Sequence, residues 1–152
     1  MKALIIIGSE TDKTIMEETR QYLDFFGIEN TLEVASAHRT PDRVREMASG
    51  AEKNGFSLII TAAGMAAALP GVVAAYTSLP VLGVPLEGGL PGGLDALYAT
   101  VQMPAGVPVG TLAVGKAGAR NAAILTARIF ALTDKSVASR LETFRQQGYK
   151  LV

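Results

Sequence analysis

The sole histidine of the chain, His38, precedes a permanent cation, Arg39, in the string Ser-Ala-His-Arg-Thr-Pro-Asp at residues 36–42. Histidine is the side chain whose ordinary pKa lets it exchange protons near neutral pH. An arginine guanidinium can hold a phosphate or a carboxylate through two parallel hydrogen bonds. The pair therefore indicates acid–base chemistry on an anionic substrate, with a solvated loop histidine as the alternative interpretation.

A second short segment, residues 8–12, reads Gly-Ser-Glu-Thr-Asp and precedes a helical pattern. Its backbone N–H groups and the hydroxyls of Ser9 and Thr11 suit a phosphate at a helix N-terminus. The alternative is an ordinary helix cap formed by Ser9, Thr11 or Asp12. The spacing matches neither a Walker loop nor a dinucleotide fingerprint, so this segment alone leaves both interpretations open.

Three other loops follow apolar runs and carry weaker signals. The small-residue segment Gly64–Ala68 fits either close helix–sheet packing or a loop around a ligand. Lys116 and Arg120 could bind phosphate or could be solvated at a helix start. Glu87 and Asp95 are possible acid–base groups that no spacing pairs.

The elements that must position these residues alternate between strand and helix patterns. Strands are predicted at Ala3–Ile7, Asn30–Ala35, Phe56–Ala62, Leu79–Val84 and Val107–Val114. Helices are predicted at Met16–Phe26, Pro41–Asn54, Met65–Tyr76, Leu94–Gln102, Ala119–Leu132 and Asp134–Gln147. The start of the second helix is marked by Thr40 as N-cap and Pro41 as first helical residue. The alternation is typical of βαβ units, which predicts one α/β domain over residues 1–152 with a five-stranded parallel sheet.

The chemistry-bearing segments follow different predicted strands. In open parallel sheets, ligands bind beyond the carboxyl ends of the strands. We therefore expect the loops after all five predicted strands, residues 8–12, 36–42, 63–68, 85–93 and 115–121, to meet at one edge of the sheet.

Composition excludes several classes of function. The 14 basic residues balance the 14 acidic ones, whereas a protein that binds nucleic-acid phosphates normally has a basic excess. Without cysteine the chain has no disulfide framework or thiolate metal site, and one histidine cannot form a histidine-rich zinc site. Glycines and prolines divide the uncharged stretch 54–86 into pieces too short to cross a membrane. With no signal-peptide pattern after the first strand, we expect a cytoplasmic protein.

The segment Asn54–Gly115 is unusually poor in charge, with only Glu87 and Asp95. Its predicted helices, Met65–Tyr76 and Leu94–Gln102, lack the charged face that a solvated helix usually shows. Either both helices are fully buried in a monomer or this half forms a subunit interface. We expect the second, which predicts a homo-oligomer.

Several strings resemble the N5-carboxyaminoimidazole ribonucleotide mutases, also described as the catalytic subunit of phosphoribosylaminoimidazole carboxylase. The resemblance covers nearly the whole chain in order, at Gly8–Asp12, Ser36–Asp42, Ala67–Gly71, Leu79–Pro85, Gly93–Asp95, Val101–Pro104 and Gly115–Asn121. It implies a flavodoxin-like three-layer sandwich, a homo-octamer with active sites at subunit contacts, and no metal or organic cofactor.

The resemblance also implies a reaction of purine biosynthesis on a small ribonucleotide. A carboxylate moves from the exocyclic N5 to C4 of the imidazole, through decarboxylation and recarboxylation with trapped CO2. In this scheme His38 is the general acid and base. The substrate-binding residues would be Ser9 and Arg39 at the 5′-phosphate, Asp12 at a ribose hydroxyl, Thr11 in the same loop, and Ser36 and Gly64 along the imidazole and CO2 pocket.

Two residues depart from the family string Gly-Gly-Ala-Ala-His-Leu-Pro-Gly. Met65 stands in place of a glycine and Ala68 in place of a second histidine. Three alternatives therefore stay open: direct carboxylation of aminoimidazole ribonucleotide with CO2, a carboxylase of another substrate such as a pyridinium dinucleotide, and a non-catalytic ribonucleotide-binding paralogue. The chain lacks the Arg-Ser-Asn string of relatives that carboxylate directly and keeps Arg39–Pro41, which favours the mutase over the first alternative. The full Ser36–Asp42 string argues against the second, and the retention of Ser9, Asp12, His38 and Arg39 weakens the third.

Overall fold

The computed structural model describes all residues from Met1 to Val152 as alternating strands and helices. The strands are β1 (Lys2–Ile7), β2 (Glu29–Val34), β3 (Leu58–Gly64), β4 (Val81–Leu86) and β5 (Gly110–Thr111). The helices are α1 (Lys13–Phe25), α2 (Pro41–Gly50), α3 (Leu69–Ala75), α4 (Leu94–Val101), α5 (Gly115–Phe130) and α6 (Lys135–Gln146). Short 3₁₀ turns precede α1 and α4, at Glu10–Asp12 and Pro91–Gly93.

All five strands run parallel in one sheet, in the order β2-β1-β3-β4-β5. This is the flavodoxin-like order, so the predicted α/β fold class is confirmed. The order reverses at β1, which pairs with β2 on one side and β3 on the other. Such a reversal opens a crevice at the carboxyl ends of the strands, because the following loops diverge to opposite faces.

The sheet is buried on both faces, which explains why its central strands are continuous apolar runs. The helices α1, α5 and α6 cover one face over a cluster of 21 buried residues. The helices α2, α3 and α4 cover the other face over a smaller cluster of 13. None of the helices is long and apolar enough to cross a membrane.

Two predicted helices have different bounds at the ends that face the sheet edge. The helix predicted from Met65 begins only at Leu69, because Met65 and Ala67 adopt left-handed backbone angles, with φ of 55° and 32°. Residues other than glycine with such angles do not continue an α-helix. In contrast, α5 begins at Gly115, four residues before the predicted Ala119.

Two other predicted elements are shorter than expected. The helix α2 ends at Gly50 rather than Asn54, because turns carry the chain to Gly55, whose φ is 81°. The fifth strand pairs only over Gly110–Thr111, not over Val107–Val114. It lies at the sheet edge, and Pro108 within the predicted span has no N–H to donate to a neighbouring strand.

The charge-poor helices α3 and α4 are not fully buried in the single chain. Large apolar side chains on this side are exposed to 45% or more, namely Tyr76, Leu90, Leu94, Tyr98 and Val101. The alternative of two helices fully buried in a monomer is therefore wrong. We call this set of five residues the apolar face.

Candidate active site

A cavity of about 530 Å³ opens at the carboxyl ends of β1 to β4. Its walls come from the loops after these strands, residues 8–12, 36–39, 63–69 and 87–88. It brings together every residue that the sequence placed in a site, namely Ser9, Thr11, Asp12, Ser36, His38, Arg39 and Gly64. The predicted meeting of the loops after the first four strands at one sheet edge is thus confirmed, whereas residues 115–121, after β5, do not line this cavity.

The loop after β1 combines the two interpretations left open above. The Ser9 side chain caps the 3₁₀ turn, since its Oγ accepts from the Thr11 backbone N–H at 3.4 Å and from Thr11 Oγ1 at 2.9 Å. Both hydroxyls nevertheless line the cavity. A ligand there would meet hydroxyls that are already oriented by the turn.

The loop after β2 is closed on itself by hydrogen bonds between Ser36 and Thr40. Thr40 is the N-cap residue of α2 as predicted, but its hydroxyl makes no hydrogen bond to the first turn of the helix. Thr40 Oγ1 instead accepts from Ser36 N–H at 3.0 Å and donates to the Ser36 carbonyl at 3.2 Å. Pro41 does occupy the first turn of α2 as predicted.

This closed loop presents His38 and Arg39 to the cavity. Arg39 Nη2 donates to the Gly8 carbonyl at 3.1 Å, which ties the loops after β2 and β1 together. The other guanidinium N–H groups and the His38 imidazole make no hydrogen bond to the protein. Both side chains are exposed, so a bound anion could reach them.

The wall from β3 depends on a close approach between two loop backbones. A Cβ added at Gly64 would lie 3.2 Å from the Leu86 carbonyl oxygen and 3.3 Å from that of Glu87. Glycine is therefore needed for close packing here, and the same residue also lines the cavity. The wall continues through Met65–Leu69, which contributes apolar side chains only.

Residues 2–150 match the family model described as AIR carboxylase. The chain belongs to the AIR carboxylase family. It is 49% identical to the N5-carboxyaminoimidazole ribonucleotide mutase of Haemophilus influenzae, over 97% of this chain and 90% of that one. The mutase of Escherichia coli is 48% identical, over 95% of this chain and 86% of that one. The family resemblance read from the sequence strings is therefore confirmed.

A solved crystal structure has the same fold as this chain. The crystal structure of Treponema denticola PurE superposes with a TM-score of 0.82 at 29% identity. The superposition covers 97% of this chain and 90% of that one. The flavodoxin-like architecture thus extends over practically the whole chain.

The two candidate phosphate-binding residues Lys116 and Arg120 lie outside this cavity. Lys116 Nζ and Arg120 Nε contact the Glu18 carboxylate at 2.6 and 2.8 Å. Arg120 also lines a separate cavity of about 540 Å³ beside α5 and Tyr149. These ion pairs indicate that both cations hold α5 against α1 rather than bind phosphate.

The two acidic candidates separate in the structure. Glu87 and its neighbour Gly88 line the cavity, as expected from their position in the loop directly after β4. Asp95 has a local role instead, because its Oδ2 accepts from the Leu90 N–H at 3.1 Å.

Burial raises the pKa of the Asp12 carboxyl, an effect that the hydrogen bonds from Ser9 and Thr11 and the charge of Arg39 only partly offset. The folded protein then binds this proton more tightly than the unfolded chain does. The contribution of Asp12 to the free energy of unfolding therefore falls as pH rises from its ordinary pKa through the raised one.

We expect that replacing Asp12 by asparagine removes this fall in the free energy of unfolding with rising pH. The difference in unfolding free energy, variant minus wild type, should grow as pH rises from below the ordinary aspartate pKa to neutrality. Urea unfolding of both proteins across that range measures it. Asp42→Asn, at an exposed position on α2, is the matched control, and a difference for Asp12→Asn that stays constant with pH would contradict the expectation.

Proposed function

We propose that the chain is an N5-carboxyaminoimidazole ribonucleotide mutase of purine biosynthesis. The observation that carries the proposal is the meeting of the sole histidine, the Arg39 guanidinium and the hydroxyl loop in one cavity. High identity to curated mutases over nearly the full chain supports the same reaction. The substrate is a small ribonucleotide, with CO2 as a trapped intermediate.

In the proposed reaction His38 transfers both protons. The bond between N5 and the carboxylate carbon breaks, which releases CO2, and the His38 imidazolium gives its proton to the nitrogen. C4 of the ring then attacks the trapped CO2, and neutral His38 takes the C4 proton. The histidine ends as it began, so no metal, organic cofactor or redox partner enters the balance.

The binding roles follow the chemistry of the cavity walls. Arg39 keeps free N–H donors beside the loop of Ser9 and Thr11, which suits a 5′-phosphate. The carboxyl of Asp12 suits a ribose hydroxyl. The apolar wall that begins at Gly64 suits CO2, which has no net charge, and Ser36 lines the same cavity.

The proposed enzyme works as a homo-oligomer in the cytoplasm, with the octamer that the family resemblance implies. Its interface would include the apolar face, because the five large apolar side chains of that face are each 45% or more exposed in the single chain. Leu94 and Tyr98 are 46% and 62% exposed on the charge-poor helix α4. A second copy of the chain could bury both, and the one charged residue of α4, Asp95, already accepts a hydrogen bond from the Leu90 N–H.

Met65 and Ala68 favour one second candidate, direct carboxylation of aminoimidazole ribonucleotide by CO2. Both residues lie in the loop between β3 and α3 that lines the cavity. A different loop here could change how the carboxylate is delivered without removing His38. This alternative uses the same cavity and the same proton acceptor.

A paired turnover assay on the purified protein distinguishes the candidates. One arm contains N5-carboxyaminoimidazole ribonucleotide at low bicarbonate, and the other contains aminoimidazole ribonucleotide with bicarbonate. Conversion in the first arm is the expected result for a mutase. Conversion in the second arm alone would identify a carboxylase. If the protein is a folded oligomer and neither arm shows conversion, the mutase proposal is contradicted. A binding paralogue or a carboxylase of another substrate then remains.

A further inference from the structure

The placement of His38 depends on the backbone of its loop. Its imidazole makes no hydrogen bond to the protein and its side chain is exposed, so neither a partner nor close packing orients it. What holds the loop is a set of bonds between its two ends. The Thr40 N–H donates to the Ser36 carbonyl at 2.8 Å, and the Arg39 N–H donates to Ser36 Oγ at 3.2 Å.

The Thr40 hydroxyl adds two bonds that no other part of the loop could supply. It accepts from the Ser36 N–H and donates to the Ser36 carbonyl, so one oxygen bridges the donor and the acceptor of the same residue. A serine hydroxyl at this position could do the same, because any hydroxyl is both a donor and an acceptor. Valine has the same shape as threonine but can do neither.

A capping role does not explain this arrangement. A threonine before a helix ordinarily turns its oxygen toward the free N–H groups of the first turn. Here α2 has no such bond from Thr40, and the hydroxyl points back toward the strand that precedes His38. The side chain thus contributes to the loop rather than to the helix.

We propose that Thr40 is a positioning residue that acts through His38, holding the loop so that the imidazole and the Arg39 guanidinium face the cavity. The catalytic consequence rests on the proposed function, in which His38 transfers protons. A proton-transfer group must lie within hydrogen-bond reach of its target, and small misplacements cost large factors in rate. Loosening the loop should therefore lower turnover without unfolding the protein.

The test compares Thr40→Val, Thr40→Ser and the matched control Thr143→Val. Thr143 lies on α6 away from the cavity, and its Oγ1 donates to the carbonyl of Ser139, four residues earlier, at 3.2 Å. The readouts are the imidazole NMR signals of histidine-labelled protein, the turnover number and the melting temperature. Because His38 is the sole histidine, every imidazole signal belongs to the loop.

For Thr40→Val we expect shifted and broadened His38 signals and a turnover number lower by about tenfold to a hundredfold. Thr40→Ser should restore the signals and most of the turnover, and Thr143→Val should change neither. The melting temperatures of the two valine variants should agree. If Thr40→Val aggregates, Thr40→Ala provides the same comparison.

Two outcomes would overturn the positioning role. One is wild-type His38 signals in Thr40→Val, and the other is an equal loss of turnover in Thr143→Val. If the wild-type protein converts no ribonucleotide, the proposed function fails instead. The His38 signals then still decide whether Thr40 holds the loop.

Discussion

Replacement of His38 by asparagine is expected to lower the turnover number by about two to four orders of magnitude. Asparagine keeps a polar side chain of similar reach, but its amide cannot exchange a proton near neutral pH. The variant should still bind the ribonucleotide, because Arg39 is held by Gly8 and Ser9 by Thr11 without help from the imidazole. The measurement is steady-state turnover together with calorimetric binding of aminoimidazole ribonucleotide.

The control for His38→Asn restores a histidine away from the cavity. Asn54 lies in an exposed turn after α2, so His38→Asn combined with Asn54→His keeps the composition but not the geometry. This double variant should be as inactive as the single one. Turnover above about a tenth of the wild-type value in either variant would show that His38 is not the proton-transfer group.

Much of the fold could be predicted because its signals are local. The strands β1, β3 and β4 are apolar runs, since the sheet is buried on both faces. The strand order was not predictable from periodicity, because β1 and β3 are separated in the chain by β2 and two helices. Non-local pairing of this kind has no signature in the spacing of apolar residues.

The missed details are positions where the surrounding structure overrides local preference. The left-handed backbone of Met65 and Ala67 could not be predicted from their residue types, because residues other than glycine seldom adopt it. Thr40 is the predicted N-cap residue of α2, but its hydroxyl bonds to Ser36 rather than to the first turn of the helix. Both exceptions lie at or beside the cavity, where strained or re-used residues are expected to concentrate.

The cavity itself could be predicted from a topological rule rather than from any single motif. Loops that follow parallel strands meet at one edge, so the polar residues after β1 and β2 converge there. The same rule applied to β4 places Glu87 at this edge, where it lines the cavity. What no sequence rule supplies is the bond between Arg39 and the Gly8 carbonyl, which joins residues far apart in the chain.

Replacement of Leu94 by aspartate is expected to dissociate the proposed oligomer. Leu94 lies within the charge-poor segment and is 46% exposed in the single chain. An aspartate there would be solvated in a free subunit but would lose its water in an apolar interface, at a cost of several kcal/mol. Light scattering should show the wild type as an assembly larger than a dimer and the variant as smaller species.

Leu132→Asp is the matched control for this substitution. Leu132 is 83% exposed and follows α5, on the opposite side of the sheet from α4. The same change of side chain there should leave the assembly intact, because it lies outside the apolar face. A monomeric wild type, or equal dissociation by both substitutions, would contradict an interface on α3 and α4. If the active sites lie at subunit contacts, turnover should fall together with the assembly in Leu94→Asp and stay unchanged in Leu132→Asp.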